Sequence, residues 1–202
     1  MNKYWIWFSR INKIGAKAQY KLLEKYETPE NIWSLDENEL KETLTQEQIK
    51  IVMNNEYKEN LEKYMEYMKK HGIKMITIND KKYPYNLRNI YDPPVVLYLV
   101  GNENTLNNSS IAIIGSRLCS SYGKMIAKQF AYNISKHNIN IVSGLAKGID
   151  ACAHIGTIEA GKPTIAVIGT GLDIIYPEEN RKIYQDIVKT NGTIITEYVV
   201  GT

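Results

Sequence analysis

Cysteine is scarce in this chain of 202 residues: Cys119 and Cys152 are its only two, and neither belongs to a CxxC pair. Free thiols in a reducing cytoplasm are the simplest account of them, so a disulfide framework is not expected. Histidine is almost as rare, with His71, His137 and His154 alone. No carboxylates or thiols stand at ligand spacing from these histidines, so the sequence predicts no metal site.

Long apolar runs are also missing. No stretch approaches the roughly 18 apolar residues of a membrane-spanning helix. The segment 1–10 has too short an apolar run for a signal peptide and no small-residue cleavage site. We therefore expect a cytoplasmic protein without a membrane partner. The net charge of +3 permits nucleic-acid binding without arguing for it, because a footprint depends on where the charge clusters.

The common nucleotide motifs are absent too. No turn contains Gly-Lys-Ser/Thr, so a Walker A loop and ATP hydrolysis have no support. The turn 115–120 lacks the second glycine of G-x-G-x-x-G, and the next strand ends in Ser143-Gly144 instead of an acidic residue. The nearest approach, 169–174, has isoleucine in place of the last glycine and follows the wrong strand. These residues therefore do not support NAD or NADP binding, and no cofactor is expected.

Residues 1–72 are predicted to form a small all-helical domain. Apolar residues recur at helical spacing in 17–26 and again in 60–71. Thr45 and Gln48 have the spacing of a capping box at a helix start. The turn 14–17 weakly resembles a helix-hairpin-helix turn that binds backbone phosphates, but a plain packing turn is the favoured interpretation.

Residues 73–202 are predicted to form an α/β domain, a Rossmann-like parallel sheet with helices on both faces. After strands at 74–78 and 95–100, a unit of strand, glycine turn and helix occurs three times. Alternation of this kind implies parallel strands joined by right-handed crossovers. The expected elements are strands near 111–115, 139–143 and 164–168, helices near 121–137, 149–160 and 178–190, and a last strand at 193–197.

The three glycine turns are expected to meet at the carboxyl edge of this sheet, where ligands bind and free backbone N–H groups attract anions. Arg117 would add a fork of donors and Lys147 a mobile charge, so the edge is predicted to bind phosphate. A structural arginine that bridges strand ends is the alternative for Arg117. The candidate binding residues in the turns are Ser116, Arg117, Gly144, Lys147, Gly169 and Thr170.

Three further residues near these turns have competing interpretations. Tyr176, followed by Pro177, could stack on a base, which is worth about 1–3 kcal/mol per base in single-strand binders. A tyrosine packed by the proline is equally favoured. Asp150 is expected to cap the following helix, and His154 is expected to be packed instead of paired with Asp150 for catalysis.

Acid, base and nucleophile roles find no coherent set of residues. Ser116, Ser143 and Thr170 could lie together at the sheet edge, but no histidine in the motifs is placed to activate one. We therefore predict no catalytic residues. Three turns with two cations suit binding a polyanion better than cutting one.

A series of short motifs runs through the second part of the chain: Tyr83-Pro84-x-x-Leu87, Asp92-Pro93-Pro94, Leu97-Tyr98, Gly115-Ser116-Arg117, Ser143 to Asp150 with His154, Gly169 to Asp173, Tyr176-Pro177-x-x-Asn180 and Thr196-Glu197-Tyr198. In these motifs and in their order the chain resembles the DprA/Smf family, the DNA-processing protein A family. The match runs from about Ile76 to the last residue, and the helical part resembles the family's sterile-alpha-motif-like (SAM-like) domain more loosely.

The resemblance implies an extended Rossmann domain that binds single-stranded DNA without catalysing a reaction. It also implies a recombination mediator of natural transformation that protects incoming single strands and loads RecA recombinase onto them. By motif, Arg117 and Lys147 correspond to the family's DNA-contacting cations. Ser116, Gly144, Gly169 and Thr170 would line the same pocket.

The family pattern continues beyond the last residues of this chain, with an Arg-Asn-Arg motif, the rest of the sheet and helices used for dimerisation. The chain is therefore expected to be truncated, and we expect homodimerisation, full DNA affinity and RecA loading to depend on that further segment. Two other functions remain open. One is a nucleotide phosphoribohydrolase (LOG-like) of the lysine-decarboxylase-like Rossmann proteins, with Glu178 or Glu179 as the nearest acids, and the other is a mononucleotide-binding sensor.

Overall fold

The computed structural model describes residues 2–202, which form helices followed by a mixed α/β region. The α-helices are α1 Lys3–Arg10, α2 Ala16–Tyr26, α3 Pro29–Trp33, α4 Glu37–Lys41, α5 Gln46–Met53, α6 Leu61–Lys70, α7 Tyr85–Arg88, α8 Ser121–Ser135, α9 Ile149–Glu159 and α10 Arg181–Lys189. The strands are β1 Lys74–Thr77, β2 Val96–Gly101, β3 Ser110–Ala112, β4 Asn140–Ser143, β5 Thr164–Val167 and β6 Thr193–Thr196. Short 3-10 helices cover Asn12–Ile14, Asn55–Lys58, Glu103–Asn107 and Glu178–Asn180.

The helical segment is built on the local signals of its sequence. The capping box predicted at Thr45 and Gln48 is present at the start of α5, and Asp36 with Glu39 forms a second one at α4. Each box satisfies backbone N–H groups that a helix start leaves without partners. The side-chain amide of Gln48 also donates to the Ile14 carbonyl at 2.8 Å, so the turn after Ile14 takes part in packing against α5.

The six strands form one mixed sheet in the order β1-β2-β6-β5-β4-β3. Strands β3 to β6 are parallel, as the repeated units predict. The first two strands add antiparallel pairings to the predicted Rossmann-like parallel sheet: β1 pairs antiparallel with β2, and β2 antiparallel with β6. These two strands lie outside the repeated units, and the alternation of side chains along a strand is the same in either direction, so it does not predict orientation.

The three crossover helices pack side by side in chain order: α8 contacts α9, and α9 contacts α10. Since β3, β4, β5 and β6 are also neighbours in sequence order, right-handed crossovers place all three helices on one face of the sheet. The 3-10 helix Glu103–Asn107, which leads from β2 to β3, contacts β5 and β6, and the Thr105 and Thr193 hydroxyls lie 2.6 Å apart. The sheet is therefore flanked by helices, with its long helices on a single face.

The helical segment and the sheet share one hydrophobic core. Buried aromatic residues of α1, such as Trp7, belong to the same cluster as Leu99 of β2 and Ile195 of β6. The Ser9 and Tyr98 hydroxyls, 2.7 Å apart, join α1 to β2. The division into domains at residues 72 and 73 is a proposal about the whole protein. Within residues 2–202, no helix combines the length and the apolar character that crossing a bilayer requires.

Candidate nucleic-acid interface

A groove of about 450 Å³ opens at the carboxyl ends of β4 and β5, beside the turn that follows β3. We call it the carboxyl-edge groove. It is lined by Arg117, Gly144, Ala146, Lys147, Ile168, Gly169, Thr170, Tyr176 and Pro177. The three turns therefore converge as the topology of a parallel sheet requires.

Six of the seven residues predicted as binding residues line this groove, and Ser116 does not. The Ser116 hydroxyl is used inside its own turn, where it donates to the Leu118 carbonyl at 2.9 Å and accepts from the Leu118 N–H at 3.1 Å. The predicted meeting of three hydroxyls also fails, because Ser143 is buried and donates to the Ile113 carbonyl at 2.7 Å. Short hydroxyls at strand ends bond to the nearest backbone instead of facing the groove.

Arg117 reaches the groove from an exposed turn that is held in place by the next turn. Within residues 2–202 its guanidinium forms no ion pair. Gly148 has φ of +80° and backs onto the carbonyls of Ser116 and Arg117, with the Arg117 oxygen 2.7 Å from where a Cβ would stand. Only glycine combines this backbone conformation with so close an approach. The Arg117 turn is thereby seated against the Lys147 turn.

Asp150 has a different role from the one its position suggests. Helix α9 begins after Gly148 without a side-chain cap, so the expectation that Asp150 caps it is wrong. The buried Asp150 carboxylate instead accepts from the Gly144 N–H at 3.1 Å and from the Gly115 N–H at 3.4 Å. One carboxylate thus joins the turns after β3 and β4 through hydrogen bonds to an ionised acceptor.

Lys147 carries an ion pair that the sequence did not suggest. Its Nζ lies 2.6 Å from Oε2 of Glu179, and both side chains are about half exposed. Asn180, buried beside Glu179, donates from its side-chain amide to the carbonyls of Leu145 at 2.8 Å and Ala146 at 3.2 Å. The helix predicted near 178–190 begins with the 3-10 helix Glu178–Asn180, and α10 itself starts at Arg181.

The third turn contributes backbone and an aromatic ring. The Thr170 hydroxyl donates to the Ile174 carbonyl at 3.1 Å, so it stabilises the turn itself. Among residues 2–202 the backbone N–H groups of Gly169 and Thr170 have no acceptor. The Tyr176 side chain is 64% exposed at the groove wall. Unbonded amides beside two cations form a surface suited to anions.

Acid–base chemistry finds little support in this groove. His154 is fully buried, its Nδ1 lies 2.9 Å from the Thr164 hydroxyl, and burial lowers its pKa to about 3. The prediction that His154 is packed in the interior is therefore confirmed. Glu178 and Glu179, the nearest acids for a phosphoribohydrolase, are paired with Arg181 and Lys147. No cluster of three or more potential metal ligands occurs in the described residues 2–202.

Comparison with known proteins identifies relatives along the whole chain. The family described as DNA recombination-mediator protein A matches residues 74–202. Protein Smf of Synechocystis is 32% identical over 205 residues, which cover 98% of this chain and 51% of that protein. The chain spans about half the length of the curated relatives that it matches.

Solved structures agree with the sequence comparison. The X-ray structure of DNA processing protein A from Streptococcus pneumoniae has a TM-score of 0.81 at 31% identity, over 100% of this chain and 69% of that one. DNA processing protein A from Helicobacter pylori, whose structure is described for its single-stranded DNA binding mode, has a TM-score of 0.54 at 32% identity, over 63% and 57% of the two chains. With the fold, the converging turns and the family match in agreement, this chain belongs to the DprA/Smf family of DNA recombination-mediator proteins.

Proposed function

We propose that the carboxyl-edge groove binds single-stranded DNA through its phosphate backbone. The observation that carries the proposal is the convergence of Arg117, Lys147 and the glycine turn at Gly169 and Thr170 on one open groove. The single-stranded DNA binding named for the Helicobacter pylori relative supports this choice of polyanion.

The proposed binding mode follows from the chemistry of the groove. Arg117 offers a fork of donors to one phosphate, Lys147 a point charge to another, and the unbonded N–H groups of Gly169 and Thr170 donate to a phosphate oxygen. Tyr176 offers its exposed ring to a base. Because phosphates and stacking faces are common to all sequences, binding should be sequence-tolerant and sensitive to salt.

For the whole protein we propose the role of a cytoplasmic recombination mediator that protects single strands, loads RecA recombinase and acts in natural transformation. In this proposal the groove is its DNA-holding part, the helical segment 1–72 and the sheet region 73–202 are two domains packed against each other on one shared core, and no reaction is catalysed. Ser116, which lies outside the groove lining, positions Arg117 through its turn.

The test is fluorescence anisotropy of labelled oligo-dT across a salt titration. Arg117→Ala and Lys147→Ala should each weaken binding about tenfold, the scale of a hydrogen bond to a charged group. Each variant should also lower the slope of log K against log salt by about 0.7, the value for one single-strand phosphate contact. Lys189→Ala removes an exposed cation at the far end of α10 and should bind as the parent does.

Two results would contradict the proposal. The first is that both groove variants bind with the affinity and the salt slope of the parent while remaining folded by circular dichroism. The second is release of base from AMP or a cytokinin nucleotide, which would identify a phosphoribohydrolase. Duplex DNA of the same length serves as the competitor that shows the preference for single strands.

A further inference from the structure

We propose that Glu179 is a built-in competitor for DNA phosphate: its carboxylate occupies Lys147 and sets the affinity of the carboxyl-edge groove below what its cations alone would give. The inference rests on the proposed function and adds a regulating residue to it. Glu179 corresponds to none of the binding residues assigned above.

The two residues of the ion pair belong to two backbone segments that are hydrogen-bonded to each other. Lys147 belongs to the turn that follows β4, and Glu179 to the 3-10 helix Glu178–Asn180. The buried Asn180 amide bonds the two segments together through the Leu145 and Ala146 carbonyls. The fold therefore places Glu179 next to Lys147, and Oε2 of Glu179 lies 2.6 Å from Nζ of Lys147.

The electrostatic consequence concerns the phosphate that would approach Lys147. That phosphate must displace the Glu179 carboxylate, and the displaced carboxylate stays within the same 3-10 helix, close to the incoming anion. Exposed ion pairs are weak, so a strand already held by Arg117 can make this exchange. The local concentration of the next phosphate on that strand is high, whereas a free mononucleotide lacks this advantage. Glu179 thus tunes the groove towards polyanions without closing it.

The neighbouring acid shows that this arrangement is specific to one position. Glu178 accepts two hydrogen bonds from the Arg181 guanidinium, at 2.6 and 2.8 Å, within its own helix start. The hydrogen bond from Arg181 lowers the pKa of Glu178. Its carboxylate is therefore engaged by a cation outside the groove lining, and Glu178→Gln removes the same formal charge one residue away from the competitor.

The experiment compares Glu179→Gln, Glu178→Gln, Lys147→Ala and the double variant Glu179→Gln/Lys147→Ala with the parent. Binding to labelled oligo-dT is measured across a salt titration. Glu179→Gln should tighten binding about two- to fivefold, the range of an exposed ion pair, and steepen the salt slope by up to about 0.7. Glu178→Gln should stay within about twofold of the parent. In the Lys147→Ala background the gain from Glu179→Gln should be smaller than in the parent, because only the repulsion between the carboxylate and the strand is left to relieve, and the difference is the coupling that a double-mutant cycle measures.

The inference is overturned if Glu179→Gln binds no more tightly than the parent, or if its gain is undiminished in the Lys147→Ala background. Glu179→Ala removes the same carboxylate in a second way, and the two variants must agree. Failure of the proposed function gives a different result: neither the parent nor Glu179→Gln binds the strand at any salt concentration tested.

Discussion

The two ends of the sheet are packed in different ways. At the β1-β2-β6 end, aromatic and aliphatic side chains from the helical segment and the strands form one continuous core, which includes Trp7 and Leu99. At the β3-β4 end, the buried apolar cluster consists of Ala131, Ile141 and Ala153. The residues at this second end are small, which lets α8 and α9 approach closely, with Gly156 against the backbone of Lys128.

At the β3-β4 end, hydrogen bonds from buried side chains join the strands and turns, whereas apolar packing joins them at the other end. The Thr164 hydroxyl donates to the Ile141 carbonyl at 2.7 Å and lies 2.9 Å from His154. The Asp150 carboxylate holds the turns after β3 and β4. Directional bonds between turns fix positions more narrowly than non-directional apolar contact does. We infer that hydrogen bonds at the β3-β4 end fix the positions of the groove residues. The free energy of folding comes mainly from the apolar core at the β1-β2-β6 end.

The largest expected effect is a loss of stability when a large side chain is removed from either of the two buried clusters. Leu99→Ala should lower the free energy of unfolding by about 4 kcal/mol, because the filled core around it leaves a cavity. Ile141→Ala, equally buried but in the smaller cluster, should lower it by about 2 kcal/mol, since fewer large neighbours surround the gap. Urea denaturation measures both. Equal losses would show that the two ends are packed alike.

A smaller effect concerns pH and the hydrogen-bonded end alone. Burial lowers the pKa of His154 from its ordinary value of 6.5 to about 3 in the folded protein. Below pH 6.5 the unfolded chain therefore binds a proton that the folded chain excludes. Stability should be independent of this group above pH 6.5 and should fall by about 1.4 kcal/mol per pH unit below it.

The control for the pH effect is a second histidine. His154→Gln should remove this part of the pH slope in urea denaturation between pH 7 and about pH 5, the range over which the unfolded histidine takes up its proton. The exposed His137→Gln should keep the parent's slope. A slope that survives in His154→Gln would assign the effect to other groups.

The smallest expected change in stability tests the contact between turns. Gly148→Ala places a methyl group against the Ser116 and Arg117 carbonyls at φ +80°, and should destabilise the protein by about 1–3 kcal/mol. Gly161→Ala, at φ +67° with open space around it, should cost about 1 kcal/mol. Only Gly148→Ala should also weaken oligo-dT binding, because it moves Arg117. Equal oligo-dT binding by the two variants would show that the Gly148 contact does not position Arg117 for binding.

Local patterns were sufficient for most elements of the fold. The capping box at Thr45, the amphipathic helix α6 and the parallel units β3 to β6 appear as the sequence predicts, because each is specified by residues close together in the chain. The antiparallel pairing of β1 and β2 was not predicted. A single strand has the same alternation of side chains in either direction, so its pattern carries no information on orientation.

The candidate site divides in the same way. Glycine turns after apolar strands located five residues of the groove, with Tyr176 as a sixth nearby, because strand order and the right-handed crossover follow from the chain itself. Two of its interactions join residues far apart in sequence: Asp150 to the Gly115 amide, and Glu179 to Lys147. An acidic residue at a helix start has the sequence signature of a cap, which is why Asp150 was misassigned.

The sequence alone determined that three strand-turn-helix units place Arg117, Lys147 and Gly169 at one edge of a parallel sheet, since spacing and periodicity act over a few residues. Which charges at that edge are paired and which remain free is set only when the turns come together in the fold. That choice depends on distances between separate turns, and these are fixed by the close approach of Gly148 and the hydrogen bonds of Asp150 and Asn180.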